Sequence, residues 1–172
     1  MAVSLVASAL AGILFLAAAM KLADPSGLET FLLALGLSGS TTRWLPRAVA
    51  VAEAAVGAGL ITFPKSTVVD LAAIVLTGSF LAAIIAAHIR AVDVDCGCFG
   101  ALDTRSSGHS TVRAVLLFAT AAGVLIGSLT IRFDSDPGIR FTGLATGVLV
   151  LLASLTVPRL HLLTNVYRRE RQ

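Results

Sequence analysis

Charge is what this chain has least of. Only 13% of its 172 residues are Asp, Glu, Lys or Arg, while 56% are hydrophobic. An average soluble domain carries roughly 25% charged residues, so this composition leaves too little polar surface to cover a water-soluble fold. Lipid as solvent removes that requirement, and a mean hydropathy of +0.91 agrees with it. Cysteine is also scarce. Two residues, Cys96 and Cys98, exclude a disulfide scaffold and leave the pair to carry chemistry or none. There is no C-x-x-C-H haem motif and no dinucleotide glycine fingerprint. The N-terminal apolar stretch lacks a basic leader and runs too long for a typical signal peptide, which predicts a retained first helix. The net charge of +3 does not point to nucleic acid. The basic residues sit at the ends of apolar segments and in the tail, where anionic headgroups and membrane insertion account for them.

Five apolar stretches are long enough to cross a hydrocarbon core of about 30 Å at about 1.5 Å per residue. They are Val3–Leu22, Pro46–Phe63, Val68–Ile89, Val112–Ile131 and Ile139–Val157. Small residues within them, such as Gly57, Gly59, Ala82, Ala83, Ala86 and Ala87, suit close helix packing. Pro46 fits the first turn of the second span. In the first loop, Ser26 and Glu29 form a capping-box pattern. Leu28, Phe31, Leu32 and Leu35 follow at i, i+3, i+4 and i+7, and Gly36 can end the helix. The expectation is an all-α integral membrane helical bundle, with four to five transmembrane helices and one short amphipathic interfacial helix. It forms a single domain over 1–172. A four-helix core reaches to about residue 131, an additional helix covers about 139–157, and a basic tail covers 158–172. The expected location is the cell membrane, as a multi-pass protein in contact with the lipid bilayer.

Alternation of spans sorts the reactive groups. With the N-terminal face named side A, Lys21, Glu53, His88, Asp93, Asp95, Cys96, Cys98, Asp103 and His109 all belong to side B or lie within reach of it. Lys65, Asp70, Asp134 and Asp136 belong to side A. If all five spans cross, ten of the 13 Lys and Arg residues lie on side B, and the positive-inside rule then places that side in the cytoplasm. With four spans the tail changes side and the bias vanishes. Disulfide maturation outside the reducing cytosol pulls the other way.

Glu53 stands alone in "AVAVAEAAVGAGL", seven residues or about 10 Å into the predicted second helix. A carboxylate at that depth is paired, protonated or facing a polar cavity. Lys21, Arg43 and Arg47 are the candidate partners. In "VDVDCGCFGALD" the two sulfurs are separated only by Gly97, which relaxes the backbone and leaves room for an incoming sulfur. A disulfide there closes a small, strained ring of the exchanging kind. Asp93 and Asp95 disfavour thiolate, and His88, His109 or Arg105 would offset them. The alternatives are inert thiols, or zinc or copper(I) held by both cysteines and a histidine. C-x-C departs from the usual zinc spacing, however.

These features together resemble the MauE family, which is related to the DoxX-like membrane proteins. The matching stretches are "AAMKLADPSGLETFLLALGL" after the first span, "AVAVAEAAVGAGLI" in the second and "DCGCFG" after the third, covering about the first 130 residues. The resemblance implies a methylamine utilization membrane protein. With a thioredoxin-like partner (MauD), such proteins are implicated in maturing the disulfide-rich small subunit of methylamine dehydrogenase. It assigns Cys96 and Cys98 as the family's cysteine pair, and Glu53 and Lys21 as its intramembrane polar positions. The function expected is thiol-disulfide exchange with a MauD-like protein. Cys96 and Cys98 would react, Glu53, His88 and His109 would serve them, and Asp95, Gly97 and Lys21 would shape the site. No metal site is expected and no cofactor is evident, but a single cysteine pair cannot carry electrons across the bilayer, so a quinone is one candidate electron partner. The rival readings are a non-catalytic membrane scaffold or chaperone, and a metal-binding membrane protein.

Overall fold

A computed structural model describes residues 2–37, 39–90, 107–130 and 142–149, with side chains described from Thr111 onward in the third of these segments. The expectation of an all-α membrane bundle holds. Helix α1 spans Ala2–Ala23, α2 Ser26–Ala34, α3 Ser40–Thr62, α4 Thr67–Ile89 and α5 Ser107–Thr130. All but α2 are long and apolar enough to cross a membrane.

α1 is the central helix. Ser4, Ala7, Ser8, Leu10, Ala11, Leu14, Ala17, Ala18 and Lys21 are all buried, and this spacing of three and four marks one broad face. It packs mainly on α3 and also on α5, while α4 packs mainly on α5. The α1–α3 contact is close because Gly57 has no side chain. A Cβ there would lie 3.3 Å from the Ala11 carbonyl oxygen and 3.5 Å from the Phe15 ring, the small-residue packing expected of membrane helices. The outer faces carry Val51, Val68, Val75, Ile126 and Leu129, all exposed, as a surface solvated by lipid requires. Hydroxyls in the spans turn inward on their own helices. Thr62 donates to the Ala58 carbonyl, Thr120 to Leu116 and Thr130 to Ile126, which satisfies these donors without water.

Two local expectations are corrected. Pro46 does not open the second span. α3 begins at Ser40, after Gly39 at φ 88°, and Pro46 lies buried inside the helix. The added turn carries Trp44, more than half exposed, as an aromatic anchor of the kind found at membrane interfaces. It also places Glu53 thirteen residues from the helix start, about 20 Å along the axis rather than about 10 Å. The predicted capping box at Ser26 does not form either. Ser26 is the first helical residue of α2, and its amide and hydroxyl both donate to Asp24 Oδ1, at 3.0 and 2.6 Å. Asp24 thus takes the Ser26 amide that the capping box would have given to the Glu29 side chain, while the Glu29 amide donates to the Pro25 carbonyl. The other end of α2 is as expected. Gly36 at φ 88° donates to the Leu33 carbonyl and Leu37 to that of Leu32, the paired bonds of a glycine-terminated helix. Leu28, Phe31 and Leu32 are buried against Ile84, Ala87 and Ala114.

Of the stretch expected as a fifth span, 139–157, the structure describes 142–149 as helix. It lies along α1 at very close range. A Cβ on Gly143 would meet the Leu5 carbonyl oxygen at 2.6 Å and Ser8 Cβ at 2.8 Å, and one on Gly147 would meet the Ala9 backbone. Val148 approaches Gly12.

Candidate functional site

Lys21 and Glu53 form the polar centre of the described bundle. Lys21 Nζ donates to Glu53 Oε1 at 2.7 Å, and the two side chains are 1% and 2% exposed. Of the three candidate partners for Glu53, the structure selects Lys21. A lysine in the last turn of a membrane helix ordinarily extends its ammonium outward to the headgroups. Here the backward tilt of helical side chains sends Lys21 toward the preceding turns of α1. The contact at Gly57, one turn from Glu53, holds α3 close enough to receive it. The ammonium also lies 5.3 Å from the centroid of the Phe80 ring of α4, within range of a cation–π attraction. Three helices thus converge on one ion pair. Among the described residues, buried Glu53 Oε2 has no hydrogen-bond partner.

Beside this pair lies a cavity of about 250 Å³. Its walls include Leu28, Phe31 and Leu32 of α2, Val49 of α3, and Phe80 and Ile84 of α4. Phe80 is common to the cavity wall and to the Lys21 contact. α2 covers it, and that cover is fastened at its far end, where Arg90 Nη1 donates to the Leu35 carbonyl at 2.7 Å. This bond ties the C-terminal end of α4, where the cysteine-bearing segment begins, to the interfacial helix. Near the other end of α2, the Ser26 hydroxyl and then its amide hold the Asp24 carboxyl below its ordinary value.

The remaining predicted site residues fall as follows. His88 is exposed in the last turn of α4. His109 is in the first turn of α5, and its side chain is not among those described. Asp95, Cys96, Gly97 and Cys98 lie between Arg90 and Ser107, outside the described residues. Among the described residues, no three His, Cys, Asp or Glu side chains gather to hold a metal ion. One buried carboxylate escaped the functional reading. Asp70, set aside on side A, is 3% exposed in the first turn of α4, and its Oδ2 has no hydrogen-bond partner among the described residues. The available signal was its spacing with Ala73 and Thr77 on one helical face. An apolar layer containing Leu10, Ala11, Leu14, Leu60 and Ala73 forms the core on that side.

The architecture defines an integral membrane protein, a bundle of four candidate spans with an amphipathic helix and a buried lysine–glutamate pair. The family model described as "Methylamine utilisation protein MauE" matches residues 1–127, which include every one of these elements except the end of α5 and the segment at 142–149. The chain belongs to the MauE family, and this membership places it among accessory membrane proteins of methylamine utilisation. Neither the curated proteins nor the solved structures contain a match to it.

Proposed function

We propose that this protein exchanges thiols and disulfides with a thioredoxin-like, MauD-like protein during maturation of a disulfide-containing client. The observation that carries the reading is the Cys96-Gly97-Cys98 sequence. It holds the chain's only cysteines and falls within the stretch matched to the MauE family. One thiolate attacks a sulfur of the partner's disulfide, forming a mixed disulfide and releasing a partner thiolate. The second cysteine then attacks the bridged sulfur of its neighbour. A Cys96–Cys98 disulfide forms and the partner leaves as a dithiol; run in reverse, the Cys96–Cys98 disulfide takes two electrons from the partner's dithiol and returns the partner to its disulfide form, the direction that oxidises the client. His88 and His109, at the two helix ends that bound the segment, are positioned by sequence to take the thiol proton, since neutral imidazole accepts protons in the physiological range. The buried Lys21–Glu53 pair fixes the three helices from which the segment and its α2 neighbour are suspended.

The test replaces Cys96 and Cys98 with serine and follows oxidation of the client in cells. Reduced client at normal membrane levels of the variant supports exchange. Fully oxidised client would transfer the role to a scaffold whose cysteines are incidental.

A further inference from the structure

The cavity under α2 suits hydrocarbon and nothing polar. Its lining side chains are apolar except for Ser79, whose hydroxyl already donates to the Leu76 carbonyl at 2.7 Å. A buried water needs two to four polar partners, so such a space stays dry. Its volume of about 250 Å³, at about 30 Å³ for a group the size of water, holds about eight methylene groups. Ser79 is exposed, so the cavity opens on the lipid-facing side of α4. A cation stands above it on the same helix. Ser79, Ala83, Ala86 and Arg90 fall at i, i+4, i+7 and i+11, one face of α4. Phe80, Ala83 and Ile84 on the wall precede Arg90 by six to ten residues, about 9–15 Å along the axis. Arg90 is exposed and donates one N–H to the Leu35 carbonyl. A guanidinium has five donors, so most of the fork is left to the headgroup layer. The acids of this region, Asp24 and Glu29, lie toward the other end of α2, with Glu29 about 9 Å from Leu35 along the helix.

We propose that the cavity and Arg90 together bind one anionic phospholipid of the side B leaflet. Part of one acyl chain fills the cavity beneath α2, and the phosphate meets the remaining N–H groups of Arg90, whose planar fork matches phosphate oxygens. The two features are spaced as the parts of a lipid are. A hydrocarbon half-layer is about 15 Å deep, so a chain whose phosphate rests at Arg90 reaches the level of Phe80 and Ile84. No oxygen of the lipid enters the cavity, where no wall residue could hold one. Arg90 also joins the end of α4 to α2, so the bound lipid steadies the interfacial helix beside the segment that carries Cys96 and Cys98. The site is independent of thiol exchange and stands or falls without it.

The experiment delipidates the full chain in mild detergent and adds back phosphatidylglycerol and phosphatidylcholine with identical chains in equal amounts. Native mass spectrometry then counts the lipids retained. The wild type should keep one phosphatidylglycerol in preference to phosphatidylcholine. Arg90→Gln can still donate to Leu35 but lacks the charge. It should weaken retention of phosphatidylglycerol by about tenfold, the worth of a charge-assisted hydrogen bond, and Arg90→Lys should restore part of it. Ala83→Leu and Ala83→Phe fill the cavity from α4 and should weaken retention in the order of their size. Glycerophosphoglycerol, the same head group without tails, should not displace the lipid. Equal retention of the two lipids by the wild type overturns the proposal, since it marks an ordinary lipid annulus. Wild-type retention in Arg90→Gln overturns it too, and this exposed substitution decides the matter even if the cavity variants fail to assemble. Wild-type retention in an assembled Ala83→Phe protein places the lipid elsewhere, and displacement by glycerophosphoglycerol marks a site for free phosphate; either result overturns the proposal.

Discussion

Removing the charge of Lys21 while keeping its length, as in Lys21→Met, leaves Glu53 facing an apolar core without its partner. At 2.7 Å, Coulomb's law with an effective dielectric constant of about 20 gives a gross attraction of about 6 kcal/mol. Desolvation of two ions takes back most of that, so the intact pair contributes little net stability. Breaking it is another matter. One buried charge without compensation costs about 3–5 kcal/mol, and the Phe80 contact adds up to about 2 kcal/mol where the cation is desolvated. Lys21→Met should therefore lower the unfolding free energy by about 3–7 kcal/mol, a large share of the stability of any domain. Glu53→Leu, leaving the ammonium unpaired, should cost a similar amount. The double variant Lys21→Met/Glu53→Leu should return to within about 1 kcal/mol of wild type or exceed it, since well-packed apolar replacements of buried pairs are neutral or stabilising. Equilibrium unfolding in mixed micelles, followed by Trp44 fluorescence, supplies all four corners of the cycle. Additive single effects, with a coupling energy below about 0.5 kcal/mol, would refute the pair as the polar centre of the bundle.

Three further outcomes follow from particular contacts. Gly57→Leu should separate α1 from α3 and cost about 1–3 kcal/mol or abolish assembly, whereas Gly123→Leu, where a Cβ meets nothing within 4 Å, should be tolerated in the same unfolding assay. Gly36→Ala forces a side chain into φ 88° and should cost about 1–2 kcal/mol, with Gly36→Asn costing less. The Asp24 carboxyl is held low by the Ser26 hydroxyl and amide. The linkage contribution of a carboxylate with a depressed folded value is present above its unfolded value and lost as the pH falls through the folded one. A titration of the Asp24 carboxyl carbon by NMR should therefore show a midpoint below the ordinary carboxylate range, and Ser26→Ala should move it upward.

The architecture was legible because hydrocarbon imposes one strong rule. Apolar runs of about 20 residues must be helices, and α1 and α4 lie within a residue of their predicted bounds, while α5 has one extra turn at its start. The fit of α2 also followed, since Leu28, Phe31 and Leu32 at helical spacing require something apolar beneath them and Gly36 supplies the stop. The start of α3 was misread because Pro46 resembles a first-turn proline. Nothing local says that Gly39 releases the chain into helix six residues earlier. At the site, Glu53 was identifiable from isolation alone, and its partner from three candidates, but the choice of Lys21 depends on a helix crossing at Gly57 that no spacing reveals. Asp70 was missed because an acid in a first helical turn already has a reason to be there, as a partner of the helix dipole. Burial on that face is a tertiary fact.

Orientation is decided by accessibility of the thiols. If 139–157 crosses in full, the charge pattern places Cys96 and Cys98 in the cytoplasm. Impermeant maleimide applied to intact cells after mild reduction should then leave them unlabelled until lysis. Strong labelling before lysis would place the pair outside and overturn the charge argument.

The account stands most directly on whether one of the two cysteines bonds covalently to a thioredoxin-like partner. Cys96→Ser and Cys98→Ser are each expressed with a MauD-like protein whose resolving cysteine has been replaced, and membranes are run without reductant. A mixed disulfide trapped in one variant, released by reductant and absent when both cysteines are serine, is the predicted result. The absence of any cross-linked species in either variant, with both proteins present at normal levels, would contradict thiol exchange as the function of the chain.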